Sequence, residues 1–140
     1  MIREFEIKDL DVIMKIWLDS NMEVHDFIKG SYWTDNYEMV KNMLPDATIF
    51  VYEDNNIIQG FIGLMNNYIA GIFINANSRS QGIGKSLIDY VKKGYPELSL
   101  QVYKKNIRGV KFYLRENFII TKEQVDESTG EVELVMKWTK

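Results

Sequence analysis

Residues 79–86 read Arg79-Ser80-Gln81-Gly82-Ile83-Gly84-Lys85-Ser86, and the kind of glycine loop they form decides the fold. Three kinds are open: the tail of a nucleotide-hydrolase phosphate loop, a loop gripping the pyrophosphate of an acyl carrier, and a plain turn before a helix. A hydrolase loop has the form G-x-x-x-x-G-K-[ST]. Counting back from Gly84-Lys85-Ser86 puts its first glycine at position 79, which holds Arg79. Such a loop also expects an acidic residue after an apolar strand to help hold magnesium, and the following strand candidate, Leu98 to Tyr103, carries no carboxylate. A dinucleotide fingerprint needs a third glycine at position 87, where Leu87 sits. It would also open its domain, not follow three strands.

What survives is a strand, Gly71-Ile72-Phe73-Ile74, feeding a glycine loop and then a helix. Gly82 and Gly84 have no Cβ, so backbone N–H groups there can come close to a ligand oxygen. Those groups are the unpaired donors of a helix start, where the dipole favours an anion. Arg79 and Lys85 add positive charge. A bare G-x-G is also what an ordinary turn looks like, so the flanks matter.

Upstream, apolar residues at 10, 13, 14, 17 and 18 keep helical spacing over roughly 9–21, with Asp9 as N-cap. Asp35 and Glu38 resemble a capping box opening a second helix that Pro45 ends. Residues 24–34 between them, with Phe27, Tyr32 and Trp33, read as irregular. Then come three β-branched and aromatic runs, 48–53, 57–65 and 68–74, separated by Asp/Asn turns: an antiparallel meander. Downstream of the loop, Ile83, Leu87, Ile88 and Val91 mark a helix face stopped by Gly94-Tyr95-Pro96. A strand over 98–103, a helix over 106–116 and strands near 118–123 and 131–138 complete the chain. The order β-α-α-β-β-β-α-β-α-β-β predicts a mixed-sheet α/β fold in one domain, residues 1–140.

Composition narrows the chemistry. The 140 residues contain no cysteine and a single histidine, His25. A thiol nucleophile, a Cys-ligated zinc, an iron–sulfur cluster and a multi-histidine metal site are therefore excluded, and no metal is expected. The cysteine-free chain needs no oxidising compartment, Met1–Glu6 shows no signal-peptide core, and no apolar run approaches the roughly 20 residues of a membrane span, so a cytoplasmic protein is expected. A net charge of −3 argues against a nucleic-acid binder. The charge is nonetheless divided. Residues 79–115 hold nine basic and two acidic residues, a net of +7, leaving −10 for the rest. That suits an anionic ligand at the basic third and a cationic one elsewhere, although solvated helix faces would give the same count.

The loop and the later stretch VYKKNIRGVKFYLRENF (102–118) together resemble the GNAT superfamily of N-acetyltransferases. Its R/Q-x-x-G-x-G/A pattern is met by Arg79–Gly84. Its strand, Asn, then F-Y-x-x-x-G-F pattern is met through Asn106, Phe112-Tyr113 and Phe118, with Asn117 in place of the usual glycine. That position calls for φ > 0, which Asn tolerates best after glycine. Gly109 replaces a common alanine at about 1 kcal/mol of helix propensity, as if to leave room for the cofactor. The segments HDFIKGSYW (25–33) and STGEVELVMKW (128–138) are similar to those of small bacterial members.

The resemblance implies acetyl-CoA as co-substrate and an amine as acceptor. Residues 79–86 would hold the pyrophosphate, and Phe73 and Ile74 would belong to the strand whose backbone N–H groups stabilise the oxyanion. Asn106 would bond the pantetheine arm, the alternative being a helix N-cap; the two are compatible. Arg115 would reach toward the nucleotide phosphates or face solvent. Tyr113 falls at the family's general-acid position, where a phenol of pKa ~10 can protonate a departing thiolate. No family-wide residue supplies the base, leaving His25 or a chain of waters. Tyr32 and Trp33 are candidates for an acceptor pocket. Dimers are common in the family. A non-catalytic acyl-CoA sensor with the same fold stays open as the alternative, with Tyr113 and the aromatic segment favouring the enzyme.

Overall fold

The computed structural model describes residues 1–140. The chain runs β1 (Ile2–Glu4), α1 (Leu10–Val24), α2 (Gly30–Met43), β2 (Thr48–Asp54), β3 (Ile57–Met65), β4 (Tyr68–Ile74), α3 (Ile83–Lys92), β5 (Glu97–Tyr103), α4 (Ile107–Arg115), β6 (Ile119–Asp126) and β7 (Glu131–Thr139), with short 3-10 turns before α1, after α2 and after β4. This is the predicted order. All seven strands join one sheet in the order β1-β2-β3-β4-β5-β7-β6, and every pairing but β4·β5 is antiparallel. No helix is long and apolar enough to cross a membrane.

The sheet is covered on both faces. On one side α1 and α2 bury Ile13, Met14, Trp17 and Trp33 against Ile49, Val51 and Phe61. On the other, Ile83, Leu87, Ile88 and Val91 of α3, with Phe118, pack on Ile62, Leu64, Ile69, Leu98, Leu100 and Met136. The β2–β3 hairpin turns through Asn55 and Asn56 at φ 52° and 65°, the left-handed pair of a type I′ turn, which asparagine tolerates.

Two helix starts differ from their sequence signals. Asp9 does not cap α1: its carboxylate receives Arg3 Nη1 and Nη2 at 2.9 and 3.0 Å and the Glu6 N–H at 2.8 Å. The ion pair outcompetes the cap and staples β1 to the approach of α1. Likewise α2 begins at Gly30, not at Asp35, which lies inside the helix; Lys29 precedes it with no capping side chain. Residues 30–34 are therefore helical, and Trp33 is buried between α1 and the sheet.

The pairing of β4 with β5 is short. It holds only at Tyr68↔Ser99 and Ile69↔Leu100. At this point β4 carries a register shift against β3, next to Gly63 and Leu64. Such an irregularity bends the strand. Beyond it β4 stays on β3 while β5 stays on β7, and the sheet parts.

Candidate active site

The parting opens a cleft of about 1070 Å³. Its walls come from the end of β4, the glycine loop, the start of α3, the outer half of β5, α4 and the end of α1. The Asn75 N–H bonds the Gln59 carbonyl across β3 at 2.8 Å. Strand alternation then turns the Phe73 N–H toward β3 as well, and the Ile72 and Ile74 N–H groups toward the open side. Ile74 lines the cleft with its N–H on that side. Phe73 offers its edge of the wall, its ring packed on Phe61 at 5.1 Å, but not its N–H.

The glycine loop lies at one end. Ser80 and Gly82 both take left-handed backbone, φ 64° and 79°, and Gly82 is the N-cap of α3. The first backbone bond back into the helix is Ser86 N–H to the Gly82 carbonyl, 3.0 Å, so the preceding N–H groups of the helix start lack intrahelical partners. Open space surrounds the Gly82 Cα where a Cβ would project. Gly84 lines the cleft as well, and a Cβ there would meet the Phe112 ring at 3.3–3.4 Å, so its bare Cα also lets α3 pack on α4. Arg79 reaches Glu23 Oε1 with Nη1 at 2.6 Å, while its Nη2 is buried without a partner. A buried guanidinium nitrogen without a partner is costly to leave unpaired, and the N–H groups of a helix start favour an anion. Lys85 also lines the cleft, held by Glu116 and Asp89 at 3.2 and 3.3 Å. Ser80 and Ile83 line it too; Gln81 and Ser86 do not.

Asn106, just before α4, and Tyr113, on α4, both line the cleft. Asn106 is the helix N-cap, its Oδ1 accepting the Gly109 N–H at 3.0 Å. Gly109, which also lines the cleft, is required by this cap, because a Cβ there would collide with the Asn106 side chain. At the far end of α4, Asn117 takes φ 71°, the Phe118 N–H bonds the Tyr113 carbonyl, and the Asn117 N–H bonds that of Leu114. This is a Schellman cap with asparagine at the left-handed position. It fixes the turn that carries Tyr113, whose ring leans on Phe112 and Phe118 at 5.2 and 5.7 Å. Burial, with Tyr68 nearby, pushes the Tyr113 phenol well above its usual range. Arg115 also lines the wall.

The opposite end has a different character. Tyr68, Gln101, Tyr103, Asp126 and Glu133 line it together with His25, Asp26 and Trp33. Tyr68 OH donates to Gln101 Oε1 at 3.2 Å and Tyr103 OH to Asp126 Oδ2 at 2.6 Å. Burial works against the Asp126 carboxylate, but hydrogen bonds from Tyr103 and Ser128 hold its pKa below the ordinary carboxylate value. Glu133 is only 7% exposed and takes a hydrogen bond from Gln124 Nε2 at 2.8 Å. Tyr32 does not line the cleft; its hydroxyl pairs with Ser128 Oγ at 3.0 Å. The sequence reading missed Tyr68, Tyr103, Asp126 and Glu133. The alternation of Ser99, Gln101 and Tyr103 with buried Leu98, Leu100 and Val102 is visible in the sequence, but it is equally the pattern of a strand with one solvated face, so it did not single out Tyr103.

His25 sits at the C-terminus of α1, stacked on Trp33 at 5.6 Å and edge-on to Phe27 and Tyr103 at 5.7 and 5.2 Å. Burial pushes its imidazole down to about 4. It is neutral at pH 7.

Comparison with known proteins bears on this geometry. The family model for the acetyltransferase (GNAT) domain matches residues 22–140. The chain is 34% identical over 140 residues to the peptidyl-lysine N-acetyltransferase YiaC of Escherichia coli (strain K12), covering 99% of this chain and 96% of that protein. The solution structure of apo-form YjaB from Escherichia coli superposes with a TM-score of 0.87 at 26% identity, over 99% of this chain and 96% of the other. A PaiA N-acetyltransferase from Thermoplasma acidophilum, solved in complex with coenzyme A, shares the fold at a TM-score of 0.80 and 20% identity, over 100% of this chain and 98% of that one.

Proposed function

This chain belongs to the GNAT acetyltransferase family, and from that premise we propose that it moves the acetyl group of acetyl-CoA to the ε-amine of a lysine within a peptide or protein. The observation that carries the reading is the cleft at the parting of β4 and β5, which is basic with free N–H groups at one end and acidic and aromatic at the other. An anionic donor and a cationic acceptor can then meet in the middle, beside Tyr113. The one sheet spanning residues 2–139 supports treating 1–140 as a single catalytic domain. The acceptor class follows the relatives, both YiaC and YjaB being named peptidyl-lysine N-acetyltransferases.

The residues fit the donor. The Arg79 side chain and the N–H groups that open α3 would receive the pyrophosphate, and Asn106 Nδ2 would donate to the pantetheine arm. The Ile72 and Ile74 N–H groups would take the thioester oxygen as it gains charge; such fixed donors lower a barrier by a few kcal/mol. The ammonium first loses one proton to water. The resulting amine nitrogen bonds to the acyl carbon, the carbon–sulfur bond breaks, and Tyr113 gives its proton to the departing sulfur. The second proton shed by the nitrogen restores the Tyr113 phenol through water. With no cysteine in the chain, transfer is direct.

Glu133 and Asp126 would draw the lysine ammonium into the cleft. Tyr68 and Tyr103 would flank its methylene stem. A thiol-release assay over lysine peptides, polyamines and small aromatic amines tests the assignment. Lysine peptides are expected to give the highest kcat/KM; a free small amine exceeding them tenfold or more would overturn it.

A further inference from the structure

We infer that His25 is a positioning residue of this site: a neutral imidazole whose Nε2 lone pair holds the side-chain amide of Asn106, latching the α1–α2 side of the cleft to the start of α4. The inference rests on the role proposed above for Asn106.

The hydrogen-bond inventory fixes the ring. Asn21 Nδ2 donates to the Trp17 carbonyl at 2.9 Å, which makes Oδ1 the free end of that buried amide. Oδ1 lies 2.9 Å from His25 Nδ1. A carboxamide oxygen only accepts, so Nδ1 carries the hydrogen and the lone pair of the neutral ring is on Nε2. From the other side, Asn106 Oδ1 is committed to the Gly109 N–H, leaving Nδ2 to face His25 Nε2 at 3.5 Å. Two amides, each oriented by a backbone partner of its own, thus demand the same tautomer. Donor meets acceptor at both ends.

This arrangement speaks against His25 as the base. The ring is enclosed by Phe27, Trp33 and Tyr103, of which only the Tyr103 phenol titrates, and that phenol is committed to Asp126. No carboxylate pairs with the imidazole to support a positive charge. A ring that releases its proton near pH 4 is poorly matched to an ammonium of pKa ~10. The latch, by contrast, uses the neutral form. At 3.5 Å it is at the long end of hydrogen bonding. Nδ2 has a second hydrogen that neither Gly109 nor His25 occupies, available to the pantetheine arm.

Because the chain has one histidine, a long-range ¹H–¹⁵N correlation spectrum of the full-length protein reads this ring alone. The Nδ1–H tautomer is expected at pH 7 and down to about pH 5, and added CoA should shift the Nε2 resonance. An Nε2–H tautomer, or an Nε2 signal indifferent to bound CoA, would overturn the latch. In kinetics, His25→Ala should raise the KM for acetyl-CoA about five- to tenfold with a smaller change in kcat and an unaltered pH–rate shape. His25→Gln should return KM to within about twofold, since its amide can donate to Asn21 and accept from Asn106. Gly109→Ala, which displaces the Asn106 amide, should reproduce the His25→Ala defect. Loss of kcat by about a hundredfold or more in both His25 variants, with the acidic limb abolished, would establish a base and refute the latch. Wild-type protein that binds no acetyl-CoA would refute the proposed function, whereas binding with the other tautomer refutes the latch alone.

Discussion

Tyr113 lines the cleft from a helix turn locked by the Asn117 cap, and burial together with Tyr68 favours its protonated form. That is the form a general acid needs. Tyr113→Phe removes the proton and little else, so kcat should fall by about 10²–10⁴ while the acetyl-CoA dissociation constant, measured by calorimetry, stays within about twofold. Since the phenol is raised, its loss of proton should produce no falling limb in the pH–rate profile below about pH 10. His25 gives a second signature, in stability. Its pKa in the folded protein is depressed to about 4 from the ordinary 6.5. Below about pH 6.5 the unfolded chain therefore binds a proton that the folded one refuses. Stability is expected to decline as pH falls through the window from 6.5 to 4, on the order of 3 kcal/mol in all. His25→Gln should flatten that part of a urea-unfolding pH series.

The elements were legible where local chemistry acts alone. The β2–β3 and β3–β4 turns follow from asparagines that accept positive φ at 55, 56 and 66. The α3 face follows from the spacing of Ile83, Leu87, Ile88 and Val91, all buried. Prediction failed where a distant partner captured a side chain. Nothing local distinguishes Asp9 as a cap from Asp9 as the receiver of Arg3, because that choice depends on β1 pairing beside β2. Nor could the start of α2 be seen, since Gly30 opens it without a capping side chain and its stability comes from Trp33 in the core. Arg3 holds the Asp9 carboxyl below the usual range, against the opposing effect of burial. Asp9→Asn should cost about 1.5–3 kcal/mol in urea unfolding near pH 7. The contribution is present above the unfolded pKa near 3.9 and lost as pH falls through the lower folded value. In the loop, a side chain at Gly82 is strained by φ 79° and projects into the open space proposed above for the pyrophosphate. Gly82→Val should abolish acetyl-CoA binding in calorimetry while circular dichroism stays native; retained affinity would place the pyrophosphate elsewhere.

Across the whole molecule, the sequence already carried the division into a basic third and an acidic remainder, and the fold turns it into two ends of one cleft. The end proposed for the donor could be grouped from sequence because its residues are consecutive. The acceptor end was not, because Tyr68, Tyr103, Asp126 and Glu133 are spread over four strands. They converge only when β7 inserts between β5 and β6, an order that no local pattern states. If this end attracts the ammonium, Glu133→Gln should raise the KM for a lysine peptide about three- to tenfold, leave that for acetyl-CoA unchanged and weaken the salt dependence of peptide turnover. The most direct measurement is tandem mass spectrometry of a lysine-containing peptide incubated with acetyl-CoA and either the native protein or its Tyr113→Phe variant. The acetyl group should appear on the lysine Nζ with the native protein and at least a hundredfold more slowly with the variant. Absence of Nζ acetylation by the native protein, or equal rates for the two, would contradict the account.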